Sequence, residues 1–364
     1  MKIAILGTRG IPNEYGGFEQ FAERLSVGLA KRGDEVFVYS PKHHSFKGKE
    51  WRDVKIIHKH DPVKLLKSAG QFIYDLFCIF DSRKHKFDII YQLGYTSSSV
   101  WFRLHPKKTI IITNLDGFEY KRAKYNFIVK RFLRLAENLA IKHSNILVVD
   151  SVPIKDYVKK KFNVEAKYFP YGSDIFNGPD ESIVTALNLK PNQYCLLIGR
   201  FQTDNNIETI IKAYLKTDSD FPLVLIGNYK NAYGEFLVKK YMDDRIMFLG
   251  PVYDKVQLNN LRFYSNIYFH GHSAGGTNPS LLEAMGASCL ICAHNNPYNK
   301  DVLKENAFYF NSEADIANLL KKMHKKEEFK TWIDNNLNNI KLNYNWNTII
   351  ETYYRFFQSL INID

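Results

Sequence analysis

The chain has 364 residues, of which 45% are hydrophobic and 15% aromatic, and this composition excludes a disordered protein. The length predicts about two domains, each large enough for a core of its own. No apolar run approaches the roughly 18 to 20 residues that cross a membrane. The best candidate, residues 72–80, contains Asp75 and indicates a buried helix instead.

The net charge of +12 is unevenly distributed along the chain. Residues 1–178 contain 31 Lys and Arg against 18 Asp and Glu, whereas the remaining residues contain 19 against 20. A basic half can face nucleic acid, an anionic membrane surface or an anionic acceptor. The sequence contains neither an aromatic RNA-binding signature nor a zinc finger. We therefore predict an anionic membrane surface as a partner, and no nucleic acid.

The N-terminal half alternates strand-like and helix-like runs, which predicts a parallel sheet covered by helices. The predicted strands are 3–6, 35–39, 54–58, 88–93, 109–114 and 145–149. The first strand begins two residues after Met1 and leaves no room for a signal peptide, so we expect a cytoplasmic protein. The first helix stops at Gly33 and places on one face Phe18, Phe21, Ala22, Leu25 and Leu29.

The loops after two of these strands contain candidate functional residues, because open parallel sheets bind ligands beyond the carboxyl ends of their strands. Arg9 follows the first strand, and Gly16 and Gly17 precede the first helix as either a turn or a ligand-binding loop. The fifth strand runs into Asp116 and Glu119, which could bind an acceptor and take up its hydroxyl proton. The alternatives are an Asp-Gly turn for Asp116 and a helix-start charge for Glu119.

A helix predicted at 121–143 interleaves basic with apolar residues. The basic residues are Lys121, Arg122, Lys124, Lys130, Arg131 and Arg134. The apolar residues are Tyr125, Phe127, Ile128, Phe132 and Leu133. Such a helix can lie on anionic lipid. Alternatively, it exposes a basic face to solvent and covers the core with its apolar stripe.

The strand pattern restarts after a turn-rich segment, 169–179, that contains two Pro and two Gly. The predicted strands of this second half are 194–198, 223–226, 246–249, 266–270 and 288–293. The first of them ends in Gly199 and Arg200, with Asn205 shortly after. A final helix, 345–360, is capped by Asn345 and places at helical spacing Trp346, Ile349, Ile350, Tyr353 and Phe357.

The sequence favours no metal site. Asp218 and Asp220 match the letters of an Asp-x-Asp motif, but they precede a strand, whereas a catalytic metal pair should follow one. Cys289 and Cys292 have CxxC spacing inside a predicted strand, which turns them to opposite faces. With Cys78 and Cys195, they are predicted to be buried free thiols.

The most informative tract is 270–286, which predicts a strand end, a glycine loop and a helix start in succession. Asn278 is a good N-cap, and Gly275 and Gly276 let backbone amides approach a ligand. A helix start of this kind attracts anions, phosphate above all. His270 and His272 flank the strand end, and we interpret His272 as a hydrogen-bond donor near the ligand.

This tract resembles the retaining, nucleotide-sugar-dependent glycosyltransferases of family 4, and within them the rhamnosyltransferase-like branch that makes bacterial surface polysaccharides. The resemblance extends over nearly the whole chain and includes the Pro-x-Gly-x-Asp segment at 170–174. It implies the α/β fold called GT-B, in which two Rossmann-like domains with parallel sheets face a central cleft. The implied domains are 1–172 for the acceptor, with 345–364 crossing back onto it, and 173–344 for the nucleotide-sugar donor.

The resemblance also implies roles for residues around the donor. Glu283, which closes the E-x7-E motif of the family, would hold the ribose, and the loop before it would bind the diphosphate and the sugar. Gly275 stands where the motif opens with Glu, so contact with the sugar would pass to backbone amides, Thr277 or Asn278.

The positive charges at the diphosphate also differ from the family pattern. Members without a metal use Arg and Lys in a Gly-Arg-x-x-x-x-Lys pattern; here Arg200 is retained and Asn205 replaces the lysine. Arg9 could add a charge from the other domain, and Gly16 and Gly17 would lie close to the donor phosphate and the acceptor.

From these residues we predict a metal-independent, retaining glycosyltransferase without a cofactor. It would move rhamnose from dTDP-rhamnose to a lipid-diphosphate-linked saccharide, as a cytoplasmic protein or one peripheral at the inner face of the plasma membrane. Two alternatives stay open: a nucleotide-sugar epimerase of the same architecture, and a non-catalytic nucleotide-sugar-binding protein. The second is motivated by Gly275 and Asn205 at positions where the family has Glu and Lys.

Overall fold

The chain forms two compact units in the computed structural model, which describes residues 1–14, 16–115, 117, 119–121, 125–322 and 324–361. The first unit contains Met1–Lys121, Tyr125–Tyr171 and the C-terminal segment that begins at Trp346. The second contains Gly172–Asn345. Within the described residues, no helix combines the length and the apolar composition needed to cross a membrane.

The first unit is built on a sheet of eight strands within its described residues, in the order β3-β4-β2-β1-β5-β6-β7-β8. The strands are β1 (Lys2–Leu6), β2 (Glu35–Pro41), β3 (Glu50–Trp51), β4 (Val54–Lys59), β5 (Ile89–Leu93), β6 (Ile110–Leu115), β7 (Ile146–Val149) and β8 (Lys167–Tyr168). All pairings are parallel except that of β3 with β4. The central strand β1 is fully buried from Ile3 to Leu6, as expected for a parallel sheet with both faces covered.

The helices that cover this sheet are α1 (Gly17–Ala30), α2 (Val63–Leu66), α3 (Ser68–Ser82), α4 (Phe127–His143) and α5 (Val152–Phe162). Short 3₁₀ turns occupy Ser99–Leu104 and Glu119–Lys121. The predicted face of α1 is confirmed by the burial of Phe21, Ala22, Leu25 and Leu29, whereas Phe18 is only half-buried.

One prediction about the helices of this unit was wrong, and another was confirmed only in part. The helix predicted to begin at Lys121 begins at Phe127, because the Asn126 side chain accepts a hydrogen bond from the Val129 amide and caps it there. The helix predicted at 72–80 is present within α3 and has one buried face, whereas Phe77 and Phe80 are 41% and 56% exposed.

The second unit contains a parallel sheet in the order β11-β10-β9-β12-β13-β14. Its strands are β9 (Cys195–Ile198), β10 (Leu223–Ile226), β11 (Ile246–Gly250), β12 (Ile267–His270), β13 (Ile291–His294) and β14 (Phe308–Phe310). Its helices are α6 (Glu181–Thr185), α7 (Ile207–Leu215), α8 (Ala232–Lys240), α9 (Lys255–Phe263), α10 (Pro279–Gly286), α11 (Pro297–Leu303), α12 (Glu313–Lys321) and α13 (Lys330–Asn343). Further 3₁₀ turns occupy Thr203–Asn205 and Lys326–Phe329.

The cysteines are buried free thiols, as predicted. The strand predicted at 288–293 starts later, however, at Ile291, because Ser288 has a left-handed backbone with φ of 57°. Cys289 therefore lies in the preceding loop, and only Cys292 belongs to the strand.

The last helix, α14 (Trp346–Ile361), belongs to the first unit and packs on α1. The residues predicted to form its apolar face are all buried: Trp346, Ile349, Ile350, Tyr353 and Phe357. The hydroxyl groups of Tyr353 and Tyr91 lie 2.8 Å apart. The chain thus returns to its N-terminal unit, and the predicted arrangement of parallel sheets with a returning helix is confirmed.

Candidate functional site

The glycine tract of the second unit lies where β12 ends and α10 begins. The side chain of Asn278 accepts a hydrogen bond from the Ser280 amide at 2.9 Å, so the predicted N-cap is confirmed. Gly275 has a φ of +129°, which L side chains rarely adopt, although the space beside its Cα is open. Backbone conformation therefore accounts for glycine at this position. Thr277 is buried at 2% exposure.

The start of this loop is fastened to the loop that follows β9. Asn206 donates its amide to the Gly271 carbonyl at 2.7 Å. The amide and the hydroxyl of Ser273 both donate to the Asp204 carbonyl, at 3.0 and 2.8 Å. These hydrogen bonds connect the loop after β12 to the loop after β9.

Two asparagines at the start of α11 hold the same loop from the other side. Asn296 and Asn299 donate to the His272 carbonyl at 2.9 and 3.2 Å. They line a recess beside the glycine loop together with His272, Ala274, Gly276, Asn278 and Tyr298. Neither Asn296 nor Asn299 could be predicted from the sequence, because their partner lies more than twenty residues away.

The two residues after β9 that were predicted to face the diphosphate differ in their surroundings. Arg200 is exposed, and its guanidinium has neither an ion pair nor a hydrogen bond to other described residues. Asn205 is buried at 5% exposure and donates its amide to the Arg200 carbonyl at 2.6 Å. Asn205 thus supports the loop that carries Arg200, and its contact with a donor stays a prediction.

Glu283 on α10 forms an ion pair with Arg262 on α9, with 2.6 Å between Oε2 and Nη2. The Arg262 side chain is 3% exposed and that of Glu283 is 28% exposed. Burial opposes the charge of Arg262, but the Glu283 carboxylate outweighs it and raises the pKa of the guanidinium. The pair therefore joins a buried guanidinium to a carboxylate that reaches solvent, an arrangement that the sequence does not reveal because Arg262 is twenty-one residues away.

The histidines at the end of β12 stack on one another. The rings of His270 and His272 lie 4.5 Å apart, at an interplanar angle of 18°. His270 is buried at 1% exposure, and this burial, with nearby His272 and His294, lowers the pKa of His270 well below its ordinary value. His270 is therefore neutral near pH 7. Among the described residues, no group of three His, Cys, Asp or Glu side chains could hold a metal ion.

In the first unit, the loop after β1 is held by two carboxylates of α1. Glu19 is buried and accepts from the Arg9 amide at 2.8 Å, and Glu23 accepts from the Asn13 amide at 2.6 Å. Gly7 is required by close packing as well as by its φ of +84°, since a Cβ there would lie 2.1 Å from the Leu93 carbonyl oxygen.

The remaining predicted residues of this unit lie at two helix starts. Gly16 is the extended N-cap residue of α1, Gly17 is its first residue, and the Arg9 side chain is exposed. Glu119 is 9% exposed in its 3₁₀ turn and accepts a hydrogen bond from the Tyr125 hydroxyl at 3.4 Å. Asp116 lies outside the described residues.

Each of the two units is a mainly parallel sheet covered by helices with glycine-containing loops at the strand ends, as in the two Rossmann-like domains of the GT-B fold. Residues 180–339 match the family described as glycosyl transferases group 1, and residues 1–174 match a domain of unknown function, DUF1972. The second unit is thus similar to glycosyl transferases group 1, and the model that matches the first unit names no function.

Two sequence relatives extend this result. The uncharacterized glycosyltransferase MJ1069 of Methanocaldococcus jannaschii is 24% identical over 409 residues, which cover 100% of this chain and 99% of the relative. The O-antigen chain mannosyltransferase RfbU of Salmonella typhimurium is 23% identical over 212 residues, which cover 57% of this chain and 58% of RfbU.

Solved structures show the same fold. Sucrose-phosphate synthase from Thermosynechococcus elongatus superposes with a TM-score of 0.84 at 16% identity, with 100% of both chains covered. HepE from Anabaena, solved in complex with UDP-glucose, gives 0.75 at 15% identity, with 98% of this chain and 99% of HepE covered. The predicted GT-B fold is thereby confirmed.

Proposed function

We propose that the protein transfers a sugar from a nucleotide-sugar donor to a saccharide or lipid-diphosphate-linked acceptor in the synthesis of bacterial surface polysaccharide. The observation that carries this proposal is the loop before α10, which has open space beside Gly275 and belongs to the unit that also contains the exposed Arg200 and the Glu283 carboxylate. The names of two similar proteins support it, because HepE was solved with UDP-glucose and RfbU is a mannosyltransferase of O-antigen chains.

The donor-binding residues would divide the work by the charge that each meets. Negative charge develops on the leaving diphosphate as the anomeric bond breaks, and Arg200 with the amides of residues 275–278 would stabilise it. The first amides of α10 are already used, since Ser280 and Leu281 donate to Asn278, so the glycine loop itself must supply the donors. Glu283 would accept hydrogen bonds from the ribose hydroxyls.

The reaction would replace the bond between the sugar and the diphosphate by a glycosidic bond to the acceptor. The acceptor oxygen forms a bond to the anomeric carbon while the bond from that carbon to the diphosphate oxygen breaks, and the pair of electrons leaves with the diphosphate. The acceptor proton passes to a carboxylate, for which Asp116 and Glu119 are the candidates. We propose attack from the same face as the departing group, with retention of configuration and without a metal ion.

The finer identity of the substrates rests on the resemblance in the sequence. It favours dTDP-rhamnose as the donor and a lipid-linked acceptor at an anionic membrane surface. The deciding experiment measures nucleoside diphosphate release from a panel of donors that includes dTDP-rhamnose, UDP-glucose and GDP-mannose. Each donor is tested with and without a glucosyl lipid-diphosphate, in chelator and in Mg²⁺.

The outcomes separate the three candidate functions. Release that requires the acceptor and survives the chelator supports the transferase. Conversion of the donor sugar without an acceptor would favour the epimerase instead. Tight nucleotide binding with no release from any donor would favour a non-catalytic binding protein, the alternative motivated by Gly275 and Asn205.

A further inference from the structure

The first turn of α4 exposes large apolar side chains to solvent. Phe127 is 69% exposed and Ile128 is 76% exposed, although the sequence pattern assigned both to a stripe that could cover the core. Leu65 on α2 is 83% exposed. Helix α2 packs against α3, and large apolar groups exposed together usually mark a contact surface.

These residues lie at the same edge of the sheet. Helices α2 and α3 follow β4, and α4 follows β6, and both strands run parallel to the rest of the sheet. The helices therefore begin at the carboxyl edge. The rings of Phe72 on α3 and Phe132 on α4 lie 5.5 Å apart, so the two helices are neighbours. Glu119 occupies the loop at this same edge.

These helices bury their carboxylates and expose cationic side chains. The carboxylates of α2, α3 and α4 are Asp75, Asp81 and Glu137, and all three are buried. Lys161 pairs with Glu137 at 2.8 Å and Lys59 with Asp81 at 2.6 Å, which leaves no exposed carboxylate on the described residues of these helices. The cationic side chains of Lys64, Lys67, Arg131 and Arg134 are exposed.

We propose that the first turn of α4, together with α2, docks on an anionic lipid bilayer. Phe127, Ile128 and Leu65 enter the boundary between headgroups and acyl chains, and Arg131 and Arg134 contact the anionic headgroups. On the described residues of α2, α3 and α4, exposed apolar and cationic side chains occur without an exposed carboxylate, and this combination fits the partner by charge. This inference rests on the proposed function, because a lipid-linked acceptor would bring the protein to a membrane.

Vesicle binding tests the proposal without donor or acceptor. The wild-type protein should sediment with vesicles of phosphatidylglycerol and phosphatidylcholine, and not with phosphatidylcholine alone. Arg131→Gln and Arg134→Gln should each weaken binding by about fivefold. The double variant Phe127→Ser, Ile128→Ser should release the protein from the anionic vesicles. The matched control, Met242→Ser with Tyr253→Ser, changes side chains of the second unit that are 83% and 79% exposed and should leave binding unchanged.

Three results would overturn this assignment. They are equal binding to neutral vesicles, an equal loss in the control variant, and a shift of the monomer–dimer equilibrium in the Phe127 and Ile128 variant, which would identify a second copy as the occupant. Nucleoside diphosphate release with a water-soluble acceptor should be the same in the docking variants and the wild type. If the wild type releases none, the proposed function fails while the vesicle result still stands.

Discussion

The pair of Arg262 and Glu283 is asymmetric in its exposure, and this asymmetry determines what each residue contributes. Arg262 is almost fully buried, whereas Glu283 reaches solvent. Leaving an ionised group without its partner inside a protein lowers the free energy of unfolding strongly, whereas leaving one that reaches water lowers it much less. The carboxylate is therefore needed for the fold as well as for the proposed contact with ribose.

Glu283→Ala should lower the free energy of unfolding by about 3–5 kcal/mol, because it leaves a buried guanidinium unpaired. Arg262→Met should cost less, since the remaining carboxylate can be hydrated. Urea denaturation followed by circular dichroism measures both values. Glu313→Ala is the control, since this partly exposed partner of Lys216 and Lys212 should contribute about 1 kcal/mol, less than the buried pair. A larger loss for Arg262→Met than for Glu283→Ala would contradict this account.

Asn205→Lys would restore the residue that the glycosyltransferase pattern has at this position, and it should lower activity. Asn205 is buried and supports the Arg200 carbonyl, so a lysine would lose that hydrogen bond and bury an ammonium group. The measurement is the rate of nucleoside diphosphate release beside that of Asn206→Lys, which disrupts the neighbouring tie to Gly271. A faster rate in Asn205→Lys would show that the loop accepts the lysine.

At the scale of elements, the N-cap of α10 should affect both stability and donor binding. Asn278→Ala removes a cap worth about 1 kcal/mol and loosens the end of the glycine loop. Asn231→Ala removes the corresponding cap of α8 in the same unit, away from the loop. Both variants should lose similar stability in thermal unfolding, but only Asn278→Ala should weaken nucleoside diphosphate binding by calorimetry. Equal binding by the two variants would show that the cap of α10 does not contribute to donor binding.

Helix α3 contains a carboxyl group that makes the stability of the protein depend on pH. Burial raises the pKa of Asp75 to about 7, although the Ser97 and Gln71 side chains donate hydrogen bonds that oppose the shift. The unfolded chain gives up this proton near pH 4, so the folded state holds it more tightly between about pH 4 and 7. The contribution of Asp75 is therefore complete below about pH 4 and is lost as the pH rises to 7.

Asp75→Asn should consequently stabilise the protein at pH 8, by up to about 4 kcal/mol, and should make little difference at pH 4. Urea denaturation of both proteins across this range measures the difference. Asp81→Asn is the control, because the pKa of Asp81 is lowered: burial raises it, but Lys59 and Tyr39 outweigh burial. That variant should be destabilised at pH 8. A difference between Asp75→Asn and the wild type that does not vary with pH would contradict the assignment.

At the scale of the whole molecule, α14 completes the core of the first unit. Phe357 is fully buried and its ring lies 5.9 Å from that of Tyr91 on β5. Phe357→Ala should therefore cost about 3–5 kcal/mol of unfolding free energy. Leu342→Ala, at a side chain on α13 that is 65% exposed, should change stability by less than about 0.5 kcal/mol. A small effect of Phe357→Ala in chemical denaturation would mean that α14 is dispensable to the unit.

Much of this architecture could be predicted from the sequence, because buried parallel strands are continuous apolar runs and α14 has a clear helical period. The start of α4 could not, because the Asn126 cap competes with a basic, helix-favouring segment before it. The exposure of Phe127 and Ile128 could not be predicted either, since an apolar stripe has the same sequence pattern whether other residues cover it or not. In the candidate site, Asn278 was predictable from its local role, whereas Arg262 and Asn296 act on partners distant in the chain.

The position of α14 sets the order in which the chain can fold during its synthesis. The second unit needs only residues up to Asn345, whereas the first lacks one of its helices until Ile361 has left the ribosome. Until then, Phe21 and Tyr91 of the nascent N-terminal unit lack the contacts that Tyr353 and Phe357 make with them in the complete chain. Although domains usually complete in the order of their synthesis, the unit made first in this protein is the last to be completed.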